Sequence, residues 1–112
     1  MKRYRVVIRQ EGKVERVKSD SLAAALDLVE ARARELADGA GSRVVDTKLL
    51  RRFEPIQQVA ARLELAGPRR LRAGIDVRGD GSVESYTGRV RRELIEQRDG
   101  EDAYEALRRR LL

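Results

Sequence analysis

The side chains of this chain that could do chemistry are arginines and carboxylates. The sequence holds 21 Arg and 4 Lys against 19 Asp and Glu, with no His, Cys, Asn or Trp. Without His or Cys, the commonest general base, the thiol nucleophile and the usual zinc and iron ligands are missing. Catalysis would have to rest on Asp, Glu, Ser, Tyr or Lys, and no two carboxylates stand at a spacing that defines an acid–base couple. Gly39, Gly41, Gly79 and Gly81 lack the Lys-Ser/Thr or strand-to-helix setting of a phosphate loop. The expectation is therefore no enzyme, no catalytic residue and no cofactor.

The nearest approach to a metal motif is Asp76-x-Arg78-x-Asp80-Gly81-Ser82-Val83-Glu84. It places acids at the first, fifth and ninth positions of a calcium loop and Gly at the sixth. Arg78 stands third and Thr87 twelfth, so the bidentate carboxylate is missing. A hairpin turn accounts for the same residues, and no metal site is expected.

Arginines bind anions, because the planar guanidinium fork meets two oxygens at once. A net charge of +6 and a pI near 10.3 favour polyanionic partners. The competing reading is composition bias, since a GC-rich coding sequence also prefers Arg to Lys and requires no ligand. The partner expected here is nucleic acid or an acidic protein surface. The longest apolar stretch, Leu22 to Leu26, is far too short to cross a membrane. No apolar region follows the basic start, so no signal peptide is read, and a cytoplasmic location without membrane contact is expected.

The elements that must position these arginines read as one α+β domain over 1–112. Residues 2–18 alternate as a hairpin, with Glu11-Gly12 as a two-residue loop. Ser19-Asp20-Ser21 offers N-caps for a helix over 21–38, in which Leu22, Leu26, Val29, Ala33 and Leu36 recur at helical spacing. Gly39 is placed to end that helix. The middle, 43–66, is ambiguous. Residues 43–53 read as a strand, while 55–65 fits strand or helix, with the preference for strand. A second hairpin over 70–90 turns at Asp80-Gly81, and a C-terminal helix spans 102–112 with Tyr104, Leu107 and Leu111 inward. The sum is an antiparallel sheet of four to six strands built on two hairpins, with two helices mainly on one face. The hairpins resemble each other, Arg3 to Ile8 against Arg70 to Ile75, as duplication of a ββα unit would produce. In so Arg-rich a chain, composition produces the same likeness.

Turn length sets which side chains share a face. In the first hairpin a two-residue loop pairs Val6 with Val17 and Ile8 with Glu15 on the core side. Arg5 then meets Lys18, and Val7 meets Arg16, on the other, with Arg3 near Asp20. If Asp80-Gly81 is also a two-residue loop, Ile75 faces Tyr86 and Ala73 faces Gly88 in the core. Arg70 then opposes Arg91, and Arg72 opposes Arg89, on the far side. The predicted polyanion-binding residues are Arg5, Arg16, Arg70, Arg72, Arg89 and Arg91. With Tyr4 and Tyr86 both inward, no ring is left for stacking bases, which points to backbone contact. Arg108, Arg109 and Arg110 complement the C-terminal helix dipole. The alternative function is a protein-interaction or self-assembly module, a homo-oligomer paired through exposed strand edges.

Overall fold

Glu11 (φ 47°) and Gly12 (φ 78°) close the first hairpin, β1 (Tyr4–Gln10) and β2 (Lys13–Ser19). Positive φ at both central residues is what a type I′ loop requires. The register follows: Val6 pairs with Val17, Ile8 with Glu15, Arg5 with Lys18 and Val7 with Arg16. The computed structural model describes residues 2–47 and 59–112, with side chains over 2–40 and 59–112.

The Ser21 Oγ accepts from the Ala24 N–H at 3.1 Å and caps the first helix, α1 (Leu22–Thr47). This helix does not stop at 38. Ala33, Leu36, Ala37 and Ala40 continue the 3.6-residue apolar stripe, and Ala40 is buried against the core. A helical Gly costs about 1 kcal/mol relative to Ala, too little to end a helix that still has surface to bury. The strand expected from 43 is accordingly helix as far as 47, and the rest of that expectation, 48–53, lies outside the described residues.

The ambiguous segment resolves as β3 (Val59–Gly67), whose Ala61, Leu63 and Leu65 alternate inward. Residues 55–58 lie outside the described set. The chain continues through β4 (Leu71–Arg78), β5 (Val83–Thr87), the two-residue β6 (Glu93–Leu94) and α2 (Ala103–Leu111). Asp102 and Glu105 form a reciprocal capping box at the start of α2. The six strands run in the order β2-β1-β3-β4-β5-β6, and every neighbouring pair is antiparallel. The fold is α+β, as expected.

Both helices cover one face. Val6, Ile8, Leu63, Leu65, Ile75 and Val77 from the sheet meet Leu26, Val29 and Ala33 of α1 and Tyr104 and Leu107 of α2 in a single core. Each fully buried aliphatic side chain there contributes about 1.5–3 kcal/mol. Arg108 fastens the helices together, reaching Asp27 at 2.7 Å and Glu30 at 3.2 Å.

The second hairpin departs from expectation. Ile75 pairs with Ser85, and Gly74 pairs with Tyr86. Ile75 and Tyr86 therefore lie on opposite faces, and the expected Ile75–Tyr86 core pair does not exist. The cause is loop length. The Gly81 N–H donates to the Arg78 carbonyl at 3.0 Å, and the Arg78 N–H donates to the Ser82 carbonyl at 2.8 Å. Gly81, at φ 89°, supplies the left-handed residue of a three-residue loop, Gly79 to Gly81. Asp80 holds it by accepting from the Ser82 N–H at 2.9 Å and from its hydroxyl at 2.6 Å. One added loop residue shifts β5 by one, and with a side-chain period of two every residue of β5 changes face.

Candidate functional site

The face opposite the helices is uncovered by any described element, and the register assigns its rows. One row reads Lys18, Arg5, Ala66, Arg72. It is extended by Gly88, whose N–H donates to the Arg72 carbonyl at 2.8 Å. The next reads Arg16, Val7, Glu64, Gly74, Tyr86, Leu94. The third reads Val14, Arg9, Arg62, Asp76, Glu84.

Charge is distributed unevenly across these rows. In the third, Arg62 donates two hydrogen bonds to Asp76, at 2.7 and 3.0 Å, and Arg78 reaches Glu84 at 3.1 Å. Arg9 crosses to Glu64 at 2.6 Å. The first row holds cations with no carboxylate. Among the described residues Arg5, Arg16, Lys18, Arg72, Arg89 and Arg92 form no ion pair, whereas Arg9, Arg32, Arg34, Arg62, Arg78, Arg108 and Arg109 all do. Arg5, Lys18, Arg72, Arg89 and Arg92 lie toward the end of the sheet where β1 begins, β3 turns into β4 and β5 ends, whereas Lys13, Arg98 and Arg110, which also form no ion pair among the described residues, lie elsewhere.

A pocket of about 180 Å³ lies at that end, open to solvent. Arg5, Arg72, Arg89 and Arg92 line it, with Val7 and Tyr86 among its apolar walls and the Arg9–Glu64 pair at its margin. The site thus gathers three of the predicted residues, Arg5, Arg72 and Arg89. Arg16 shares the face but lies one row away, beside Val7. Arg70 sits in the β3–β4 turn and Arg91 in the segment after β5, both exposed, and neither lines the pocket. The expected cross-strand pairs Arg70–Arg91 and Arg72–Arg89 are not formed, because β5 ends at Thr87 and its register has shifted. Gly88, at φ 92°, begins a tight turn in which a Cβ would stand 2.3 Å from the Arg91 carbonyl oxygen. Arg3 and Asp20 form no ion pair among the described residues.

Sequence reasoning missed Tyr86 and Arg92. Tyr86 lies on the open face across Gly74, where an added Cβ would meet its hydroxyl oxygen at 2.5 Å and its Cζ at 2.8 Å. The Arg92 guanidinium covers the ring, 5.2 Å from its centroid. Tyr86 is only 3% exposed although it belongs to the solvent-facing side. Burial, reinforced by the nearby Asp76 carboxylate, pushes the hydroxyl up to about 12. The signal that could have revealed this is Gly79-Asp80-Gly81 itself, since a Gly on each side of Asp80 admits a three-residue loop as readily as a two-residue one.

The turn beside the pocket is strained. The Leu71 N–H donates to the Pro68 carbonyl at 3.2 Å, and the two central residues, Arg69 and Arg70, have φ of 60° and 59°. Asn and Gly are the residues that adopt this conformation readily, and each Arg there costs about 1 kcal/mol. The C-terminal arginines serve structure. Arg108 joins the helices, and Arg109 binds Glu101 at 2.7 Å and the Glu96 carbonyl at 2.9 Å.

Among the described residues no three Asp or Glu side chains converge as a metal site, and no helix is long and apolar enough to cross a membrane. Asp76 and Asp80 of the calcium-like stretch are engaged by Arg62 and Ser82 within a hairpin. Comparison with protein-family models, curated proteins and solved structures finds no match.

Proposed function

We propose that this chain is a non-enzymatic binding module that holds a polyanion, specifically nucleic acid, on the basic end of its open sheet face. The observation that carries this reading is the segregation of the arginines. Composition bias places Arg without regard to carboxylates. Here the arginines that tie elements together have acidic partners, and of the five arginines around the pocket only Arg9, held by Glu64, has one among the described residues, while Arg5, Arg72, Arg89 and Arg92 do not. Like charges held side by side across strands destabilise a sheet, so a cluster left uncompensated suits an anionic partner. Arg69 and Arg70, kept in an unfavourable turn conformation at the same end, add to that pattern.

Self-assembly through strand edges is less well supported. The exposed edge strand β2 carries Lys13, Arg16 and Lys18, charges that discourage edge-to-edge pairing, and the opposite edge, β6, has two residues.

The test is fluorescence anisotropy with labelled RNA, duplex DNA and heparin across a salt series, on the wild type and on Arg72→Glu with Arg89→Glu. The double reversal should leave folding intact and weaken binding strongly. Its log–log salt slope should fall by about 0.7–0.9 for each phosphate that is no longer neutralised. Arg110→Glu, on the exposed side of α2, serves as the control and should change little. Absence of binding to any polyanion near physiological salt, or equal weakening in the control, would transfer the reading to an acidic protein partner.

A further inference from the structure

We propose that the polyanion is single-stranded, and that Tyr86 is the stacking place for one of its bases, occupied in the free protein by the Arg92 guanidinium. This inference rests on the polyanion reading above and names the ligand class of the same site.

The geometry of the ring is the starting point. Gly74, directly across from Tyr86 in the ladder, has no Cβ, so the Tyr86 side chain can lie low across β4. One side of the ring is therefore against the sheet, and the other is turned toward the pocket. What covers that outer side is a planar cation, the Arg92 guanidinium, 5.2 Å from the ring centroid. A planar π-system is the other common group that packs on a tyrosine face, and every nucleobase has one.

Arg92 is suited to leave. It has no carboxylate partner among the described residues, and it is an exposed residue in the irregular segment between β5 and the two-residue β6. The ring is what its guanidinium rests on. A base entering the pocket can take the place over Tyr86, and the displaced guanidinium then meets the phosphates of the same strand. Arg5, Arg72 and Arg89 line that pocket as well, so phosphates flanking the stacked base have donors on more than one side. Val7 supplies apolar contact beside the ring. A duplex keeps its bases stacked inside the helix, so it can engage the arginines but not the ring.

The experiment compares three labelled probes of about ten nucleotides, within the span such surfaces usually cover. They are oligouridylate, an abasic strand with the same phosphates, and a duplex. Anisotropy at fixed salt should show oligouridylate binding about tenfold tighter than the abasic strand, the range that one stacked base contributes. Tyr86→Leu should erase that preference, so that the base-bearing and abasic strands bind alike. Tyr86→Phe should keep it, and thermal melts establish that both variants fold. Wild-type tyrosine emission should be quenched by oligouridylate and not by the abasic strand, and the quenching should disappear in Tyr86→Leu. Equal binding of base-bearing and abasic strands, or a preference that survives in Tyr86→Leu, would overturn the stacking site and leave the polyanion reading standing. Should Tyr86→Leu fail to fold, unchanged wild-type tyrosine emission alone would overturn it. No binding of any probe would overturn both.

Discussion

Alanine at position 74 tests the register on which the site depends. A Cβ there would stand 2.2 Å from the Leu63 carbonyl oxygen, 2.5 Å from the Tyr86 hydroxyl oxygen and 2.8 Å from the Tyr86 Cζ. The first neighbour is backbone of β3 in a central strand pair, so no side-chain rotation relieves it. Forcing extra volume into packed structure costs about 1–3 kcal/mol, and a backbone clash belongs at the upper end. Restricting the unfolded chain returns about 0.4–1 kcal/mol. Gly74→Ala should therefore destabilise by about 2 kcal/mol, a fall in Tm of about 10 °C for a domain of this size. Gly39→Ala makes the opposite prediction from the same chemistry. Among the described residues nothing lies within 4 Å of an added Cβ, and position 39 sits inside α1, so the substitution should stabilise by about 0.5–1 kcal/mol. Urea unfolding followed by far-ultraviolet circular dichroism measures both, with a constant m-value as the check that two-state behaviour holds. A Gly74→Ala variant as stable as wild type would refute the packing of Tyr86 across β4. With it would go the three-residue loop and the placement of Tyr86 on the open face.

Replacing Arg69 by Asn and Arg70 by Gly should relieve the left-handed turn and raise stability by about 1–2 kcal/mol, while weakening polyanion binding. The pair of measurements is a melt and an anisotropy titration, and unchanged affinity would remove that turn from the interface. The Glu101 carboxyl is held at about 2, chiefly by its hydrogen bond from Arg109 and then by the Arg98 N–H. Its folded value lies below its unfolded one, so its stabilisation is present above the ordinary 4.5 and is lost as pH falls from there toward 2. Side-chain carboxyl titration by NMR should place the midpoint near 2 and show it rising in Arg109→Gln, and a wild-type midpoint near 4.5 would show that the pair does not form in solution.

The parts of this fold that are legible in the sequence are those governed by local chemistry. Glu11-Gly12 sets the first hairpin and its register, because two positive φ values and a two-residue loop leave one pairing. Ser21 starts α1, and Asp102 with Glu105 starts α2, because their side chains satisfy backbone donors within three residues. Alternation of Ala61, Leu63 and Leu65 identifies β3 once the sheet on either side is counted. The α+β class follows from these alone. The end of α1 does not, since Gly39 is a stop only where the following residues have nothing to bury, and Ala40 has the core.

The arginine site shows the division most clearly. The sequence determines that an excess of Arg must face solvent, and the first hairpin assigns Arg5 and Arg16 to one face. It cannot say which arginines are neutralised, because the partners stand far off in the chain. Arg9 meets Glu64, Arg62 meets Asp76 and Arg108 meets Asp27 only when the strands and helices are assembled. Nor can it choose between loops of two and three residues at Gly79-Asp80-Gly81, which are nearly equal locally. Tertiary packing decides by what it puts on each side: the small, buried Ser85 opposite Ile75 on the helix-covered face, and the large Tyr86 over the Gly74 backbone. That one-residue choice turns an aromatic ring from the core to the open face, where Arg92 covers it.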